Sequence, residues 1–207
     1  MRTRGRPRSA AADSSIVETV LRLLEEGTTL GELSMERIAR SAGVGKATVY
    51  RRWANKDALL MDVVRAVDEP LPPLAGSSVR DDLVALLEVT RRHASAERSS
   101  AVLRTVIGHA QHSPELWRRY HDTVVRTRCE AMCAVLRRGV RTGEIRDDLD
   151  VRLLADLFAG PVLARALLCE RACLEDGLAE RIVDAVLDGV RPGGRTPVRP
   201  GSPVRPG

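Results

Sequence analysis

Two Trp, two Tyr and one Phe are all the aromatic side chains in a chain of 207 residues. Hydrophobic residues still make up 43% of it, so any core must be built from Leu, Val, Ala and Ile. β-Sandwiches draw on Tyr, Phe and Trp to cover pleated surfaces, whereas helices pack well through Leu and Ala. The apolar positions agree with helices. Ile16, Val17, Val20, Leu21 and Leu24 recur at spacings of three and four, and the pattern reappears in later segments. No segment reads as a strand, and no solenoid repeat is present. The expected fold class is all-α.

Breaks in the pattern divide the chain. Residues 1–12, rich in Arg, Gly, Pro and Ala, read as a disordered basic arm. Residues 13–68 read as the first domain. Its first helix is capped by Asp13 or Ser14 and closed by Gly27, and its second follows Ser34. A tight turn at 41–44 leads to a short third helix from Gly45 to about Trp53. A fourth, N-capped by Asn55, runs to about Asp68. Glu69-Pro70-Leu71-Pro72-Pro73 and Gly76-Ser77-Ser78 mark a boundary. Residues 79–190 read as a second helical domain. Its helices are expected over 79–95, 99–112, 114 to about 143 (opened by Ser113-Pro114), 150–172 with a kink at Gly160-Pro161, and 175–190. The Pro/Gly-rich residues 191–207 read as a disordered tail.

The densest functional signal lies between Gly43 and Leu60. Lys46 and Lys56, the only lysines in the chain, both fall there. Val49 and Trp53, four apart, share one helical face. That leaves Lys46, Ala47, Tyr50 and Arg51 together on the outer face, with Thr48 and Arg52 adding a hydroxyl and a guanidinium. Small residues for close approach, flanked by donors, are what a helix entering the major groove requires. Lys56 sits in the first turn of the next helix, where a cation opposes the helix dipole. A phosphate at that N-terminus explains it; a solvent-exposed lysine of no consequence is the alternative. A net charge of +5 suits a polyanionic partner.

Residues 14–60 resemble the DNA-binding domain of the TetR family of bacterial transcriptional regulators. Gly43, Val44, Lys46, Thr48, Tyr50, Lys56 and Leu59 match that family's core pattern. Gly45, Ala47, Val49, Arg52, Trp53 and Asn55 are mild departures. The resemblance implies an N-terminal three-helix helix-turn-helix domain joined to a C-terminal helical ligand-binding and dimerisation domain. It further implies that Lys46, Tyr50 and Lys56 hold phosphates of double-stranded DNA, while Gly45, Lys46, Ala47, Arg51 and Arg52 meet base edges. By the same resemblance the last two long helices form a homodimer, the operator is pseudo-palindromic, and a small-molecule ligand releases a repressor from it. Arg4-Gly5-Arg6-Pro7 resembles an AT-hook whose arginines enter a minor groove; a basic leader adding only general attraction is the other reading.

In the second domain, the rare aromatic and imidazole side chains are the candidates for a ligand pocket: His109, Trp117, Tyr120, His121 and Phe158, with His112 nearby. Core packing is the competing reading for each. Cys129 and Cys133 are four apart, as are Cys169 and Cys173. Each pair lies on one expected helix and shares a face; if the two faces met, a metal- or thiol-sensing regulator would result, and packing as small hydrophobes is the alternative. No nucleophile elbow, phosphate loop or zincin motif appears, so neither an enzyme nor a cofactor is expected. No apolar run of membrane-spanning length and no signal peptide appear, which gives a cytoplasmic expectation and reduced cysteines.

Overall fold

The computed structural model describes residues 7–169 and 174–191, with side chains from residue 12 onward. Those residues form helices and no strand, the all-α fold expected. In order they are α1 (Pro7–Glu25), α2 (Met35–Ser41), α3 (Lys46–Tyr50), α4 (Lys56–Val67), α5 (Val79–Ser95), α6 (Glu97–Gly108), α7 (Pro114–Tyr120), α8 (Arg126–Thr142), α9 (Val151–Leu168) and α10 (Leu178–Val190). A π-helical turn, His121–Val125, joins α7 to α8. No helix among the described residues is long and apolar enough to cross a membrane.

Side-chain caps fix several helix starts. Ser34 accepts from the Arg37 N–H at 3.1 Å, Asn55 from Ala58 at 2.8 Å, Ser78 from Asp81 at 3.1 Å and Asp150 from Leu153 at 2.9 Å. Each satisfies one of the N–H groups that a helix start leaves unpaired. Gly43, between α2 and α3, has φ +66°. A side chain is strained there, which is why the turn uses glycine.

Several boundaries differ from the sequence expectation. α1 starts at Pro7 rather than at Asp13 or Ser14, so residues 7–12 of the expected arm are helical. Proline is pre-set for a first helical position, and Ala10, Ala11 and Ala12 are strong helix formers. α6 begins at Glu97 and stops at Gly108, short of the expected 112. The single helix expected from 114 to about 143 is interrupted by the π turn. α9 runs on through Pro161 and ends at Leu168, with Cys169 already extended. Cys169 therefore lies off α9, against the expectation of a helix through 172, and Cys173 lies outside the described residues. So do Arg4, Arg6 and residues 192–207.

The apolar residues gather into two cores whose division does not follow the linker at 69–78. The first holds Ile16, Val20 and Leu24 of α1, Ile38 of α2, Val49 of α3 and Leu59 and Val63 of α4, but also Leu103 and Val106 of α6, Leu116 and Tyr120 of α7, and Val124. The second is built from α5, α8, α9 and α10, with Phe158 and Leu154 fully enclosed. Thus α6 and α7, although beyond the linker, belong to the core of the N-terminal helices. Polar ties reinforce this: Arg98 of α6 reaches Glu18 and Glu25 of α1, both at 2.9 Å, and the Ser113 hydroxyl donates to Asp57 of α4 at 2.6 Å.

The linker itself is pinned by one buried carboxylate. Asp82 accepts from the N–H groups of Ala75 and Gly76, both at 3.1 Å, and pairs with Arg138 at 2.6 Å. Arg138 in turn donates to the Ser78 carbonyl at 3.2 Å. Close by, Gly139 leaves room for Ile145, since a Cβ there would lie 2.8 Å from the Ile145 Cδ1. Removing Asp82 strands a guanidinium and two backbone donors. We therefore expect Asp82→Ala to lower unfolding stability by about 3 kcal/mol, read from urea denaturation. An unchanged midpoint would show that the linker is held elsewhere.

Candidate functional site

α3 is only five residues long, too short to persist alone, so its neighbours must hold it. Val49 is fully buried and Trp53 nearly so, and the Trp53 indole N–H donates to Asp62 of α4 at 2.8 Å. The opposite face is open: Gly45, Lys46, Ala47 and Arg51 are exposed, Tyr50 is 43% exposed and Thr48 half-buried. This is the outward set expected from the spacing of Val49 and Trp53.

The basic side chains around α3 differ in their attachments. Lys46 pairs with Glu36 of α2, and its Nζ lies 5.6 Å from the Tyr50 ring centroid. Glu36 raises the Lys46 ammonium above its ordinary pKa and is itself lowered by Lys46. Lys56 is half-buried and donates to the Leu30 carbonyl at 2.6 Å, tying the start of α4 to the turn after α1. Neither of its sequence readings includes this anchor. An ammonium has three donors, so the anchor leaves others for a second acceptor. Arg52 faces inward. Its side chain is 14% exposed, is ion-paired with Asp13 of α1, and donates to the Thr48 carbonyl at 3.1 Å. It is a strut between α1 and the end of α3, unlike the base-edge role that the resemblance implied.

At the junction of the two cores lies a cavity of about 360 Å³. Leu103, Tyr120 and Val124 of the first core and Leu86, Met132 and Ala155 of the second line it. The π turn forms part of its wall through His121, Val124 and Val125. Such turns occur often at functional sites because they carry one residue more than a regular helix needs. A larger cleft of about 780 Å³ lies beside α1 and α4, but it is open and edged by Glu18, Asp62, Arg65 and Arg98. The deeper, more apolar space between the cores is the better container for a small molecule.

Of the five residues proposed for a pocket, Tyr120 and His121 line this cavity. Phe158 is wholly buried in the second core. Trp117 packs on the first core beside Tyr120, ring centroids 5.9 Å apart. His109 stacks on His112 at 5.1 Å, away from the cavity. Sequence reasoning missed His93 and Arg128, which do line it, as does Cys129, singled out there only as a thiol. A ring nitrogen of His93, Nδ1, is buried with no partner. Burial first, then the Arg128 charge, hold His93 below its ordinary pKa, and burial pushes Tyr120 up to about 12. Cys129 and Cys133 do meet, with sulfurs 4.0 Å apart, and burial raises the Cys133 thiol. Among the described residues, however, no three His, Cys, Asp or Glu side chains converge as a metal site would need.

The neutral His93 ties stability to pH. Its folded pKa lies below 6.5, so its contribution is present above that value and is lost as pH falls through the folded pKa. Acidification below about pH 6.5 should therefore lower the unfolding midpoint more in the wild type than in His93→Gln, by thermal denaturation across a pH series. Parallel curves would remove His93 as a source.

The comparisons with known proteins bear on both halves. Residues 22–63 match the family described as "Bacterial regulatory proteins, tetR family", and residues 73–186 match "Tetracyclin repressor-like, C-terminal domain". The chain is 33% identical over 168 residues to the Bacillus subtilis (strain 168) HTH-type transcriptional regulator YdeS, covering 80% of this chain and 83% of that one. It is 30% identical over 202 residues to the DNA-binding transcriptional repressor TetR of Mycobacteroides abscessus, covering 94% and 100%. Among solved structures, the TetR family transcription regulator SCO0332 superposes with a TM-score of 0.62 at 31% identity, covering 87% of this chain and 99% of that one. With an exposed α3 face set on a packed helix-turn-helix and matches across both halves, the chain belongs to the TetR family of helix-turn-helix, DNA-binding transcriptional regulators, which are not enzymes.

Proposed function

We propose that this regulator is a dimeric repressor that leaves a pseudo-palindromic operator when a small molecule occupies the cavity between its two cores. The observation that carries the reading is the cavity's position. One wall belongs to the core that sets α3 and α4, and the other belongs to α5, α8 and α9. A ligand that fits only one spacing of those walls selects one setting of the recognition helices. The repressor name carried by the Mycobacteroides abscessus relative supports the sign of regulation.

On this reading the exposed Gly45, Lys46, Ala47, Tyr50 and Arg51 face the major groove, with Thr48 at its edge. Lys46, Tyr50 and Lys56 hold phosphates, which position the domain, while the other side chains of α3 discriminate bases. Arg4 and Arg6 extend the contact along the minor groove. Dimerisation uses the outer faces of α9 and α10, and on α9 Leu153 and Leu157 are 51% and 46% exposed. An exposed leucine row of this kind is a surface for another protein chain. In a symmetric dimer two copies of α3 meet half-sites about 34–36 Å apart.

Selecting bound DNA from a random pool tests the reading directly. A palindromic site should emerge, and failure to enrich any sequence would sink the proposal. On that site Lys56→Ala should weaken binding to all sequences alike and reduce the salt slope by about one, measured by titration at several salt concentrations. Unchanged slope and affinity would leave Lys56 with only its Leu30 anchor. Leu157→Glu should give monomers in sedimentation and lose tight binding to the full palindrome; a dimer that survives would move the interface elsewhere.

A further inference from the structure

Arg128 touches the cavity and the DNA-binding half at once. Its side chain lies in the cavity wall. Its Nη2 group donates to the Asp68 carboxylate at 2.8 Å and to the Glu69 carbonyl at 3.3 Å. Asp68 is the C-cap of α4, and α4 in turn holds Trp53 through Asp62. The pair is largely withdrawn from water, the side chains being 15% and 30% exposed. A guanidinium carries five N–H donors, and the bonds to Asp68 and Glu69 use only Nη2. The donors on Nε and Nη1 bond to no described residue. A cation is thus fixed in the wall of a largely apolar space, with donors to spare.

Resting on the reading of this cavity as the regulatory ligand site, we propose that its ligand is an apolar molecule ending in a carboxylate, which sits on the Arg128 guanidinium and loosens the Arg128–Asp68 tie to α4. The walls select an apolar body through Leu86, Leu103, Val124 and Met132. Of the guanidiniums lining the space, Arg128 is the one withdrawn from water. Arg126 and Arg152 also line the space but are exposed, where water screens them, and Arg126 lies 3.8 Å from Asp122; burial, then the Arg128 charge, hold the His93 pKa below its ordinary value. A neutral hydroxyl would leave the ion pair intact. A second carboxylate on one guanidinium repels the first, while its own charge-assisted bonds offset the loss. Occupancy is converted at one side chain into release of the last turn of α4.

The test uses the full-length protein and matched probes: decanoate against 1-decanol, and 4-butylbenzoate against 4-butylbenzyl alcohol. By calorimetry at least one carboxylate should bind about tenfold or more tighter than its alcohol, the difference a charged hydrogen bond makes. Arg128→Met should erase that preference while changing alcohol binding by less than about threefold; Arg128→Gln replaces it if the Met variant does not fold. Asp68→Asn should tighten carboxylate binding, and bound carboxylate should speed hydrogen exchange over residues 64–69. Absence of carboxylate binding, equal binding of the alcohols, a preference that survives loss of the guanidinium, or exchange over 64–69 that does not change would each overturn the proposal. The underlying reading fails separately: carboxylates that bind through Arg128 without releasing operator DNA refute ligand-controlled repression and leave the ligand class standing. Neutral compounds that release DNA do the reverse.

Discussion

The contact on which the rest depends is the insertion of Leu103, Val106, Leu116 and Tyr120 from α6 and α7 into the core of α1–α4. Burying side chains of this size is worth roughly 1.5–3 kcal/mol each, far more than the solvent-screened ion pairs around them. The helix-turn-helix is therefore not a bead on a string. It is one face of a larger packed body that includes the first helices beyond the linker. Because Leu103 and Tyr120 also line the cavity, anything that fills the cavity presses on atoms that belong to the DNA-binding core. Close-packed interiors transmit such displacement instead of absorbing it.

The same body explains how a five-residue helix can serve as a reading head. Val49 and Trp53 fix α3 from beneath, Arg52 braces its end against Asp13 of α1, and Lys56 fastens the start of α4 to Leu30. Two of these attachments, Arg52 and Lys56, use residue types that would suit nucleic acid equally well. Their assignment turns on where the side chains point. Arg51 and Arg52 are adjacent in sequence, yet one is open to solvent and the other is an internal strut.

That pair also marks the limit of what the sequence reveals. Periodicity alone separates Val49 and Trp53 from Lys46, Ala47 and Tyr50, because a helical face is a local property. Arg52 could not be assigned in this way, since its partner lies on a helix that begins earlier than the capping residues suggest. The cavity was harder still. Tyr120 and His121 are rare residue types and drew attention on that ground; Phe158 and Trp117 did so equally and are packing. His93 and Arg128 carry no local signal, being one imidazole among four and one guanidinium among many. Only the meeting of α5, α8 and the end of α4 gives them a role. Likewise the division of the cores crosses the Pro-rich linker, because proline marks where the chain bends and not what it packs against.

Lys46 carries its own counterion. In solution a lysine on DNA displaces mobile salt from the phosphate chain, and any stretch of duplex rewards it. For the phosphate proposed to sit on Lys46, the competitor is Glu36, a carboxylate tethered beside it on α2. A glancing encounter with random sequence, in which α3 is poorly seated, gains little from that exchange. A fully docked helix gains more, because the phosphate is held at the right distance and angle. If Lys46 holds a phosphate as proposed, the Glu36 carboxylate sets a threshold that favours a seated helix over a glancing encounter with DNA.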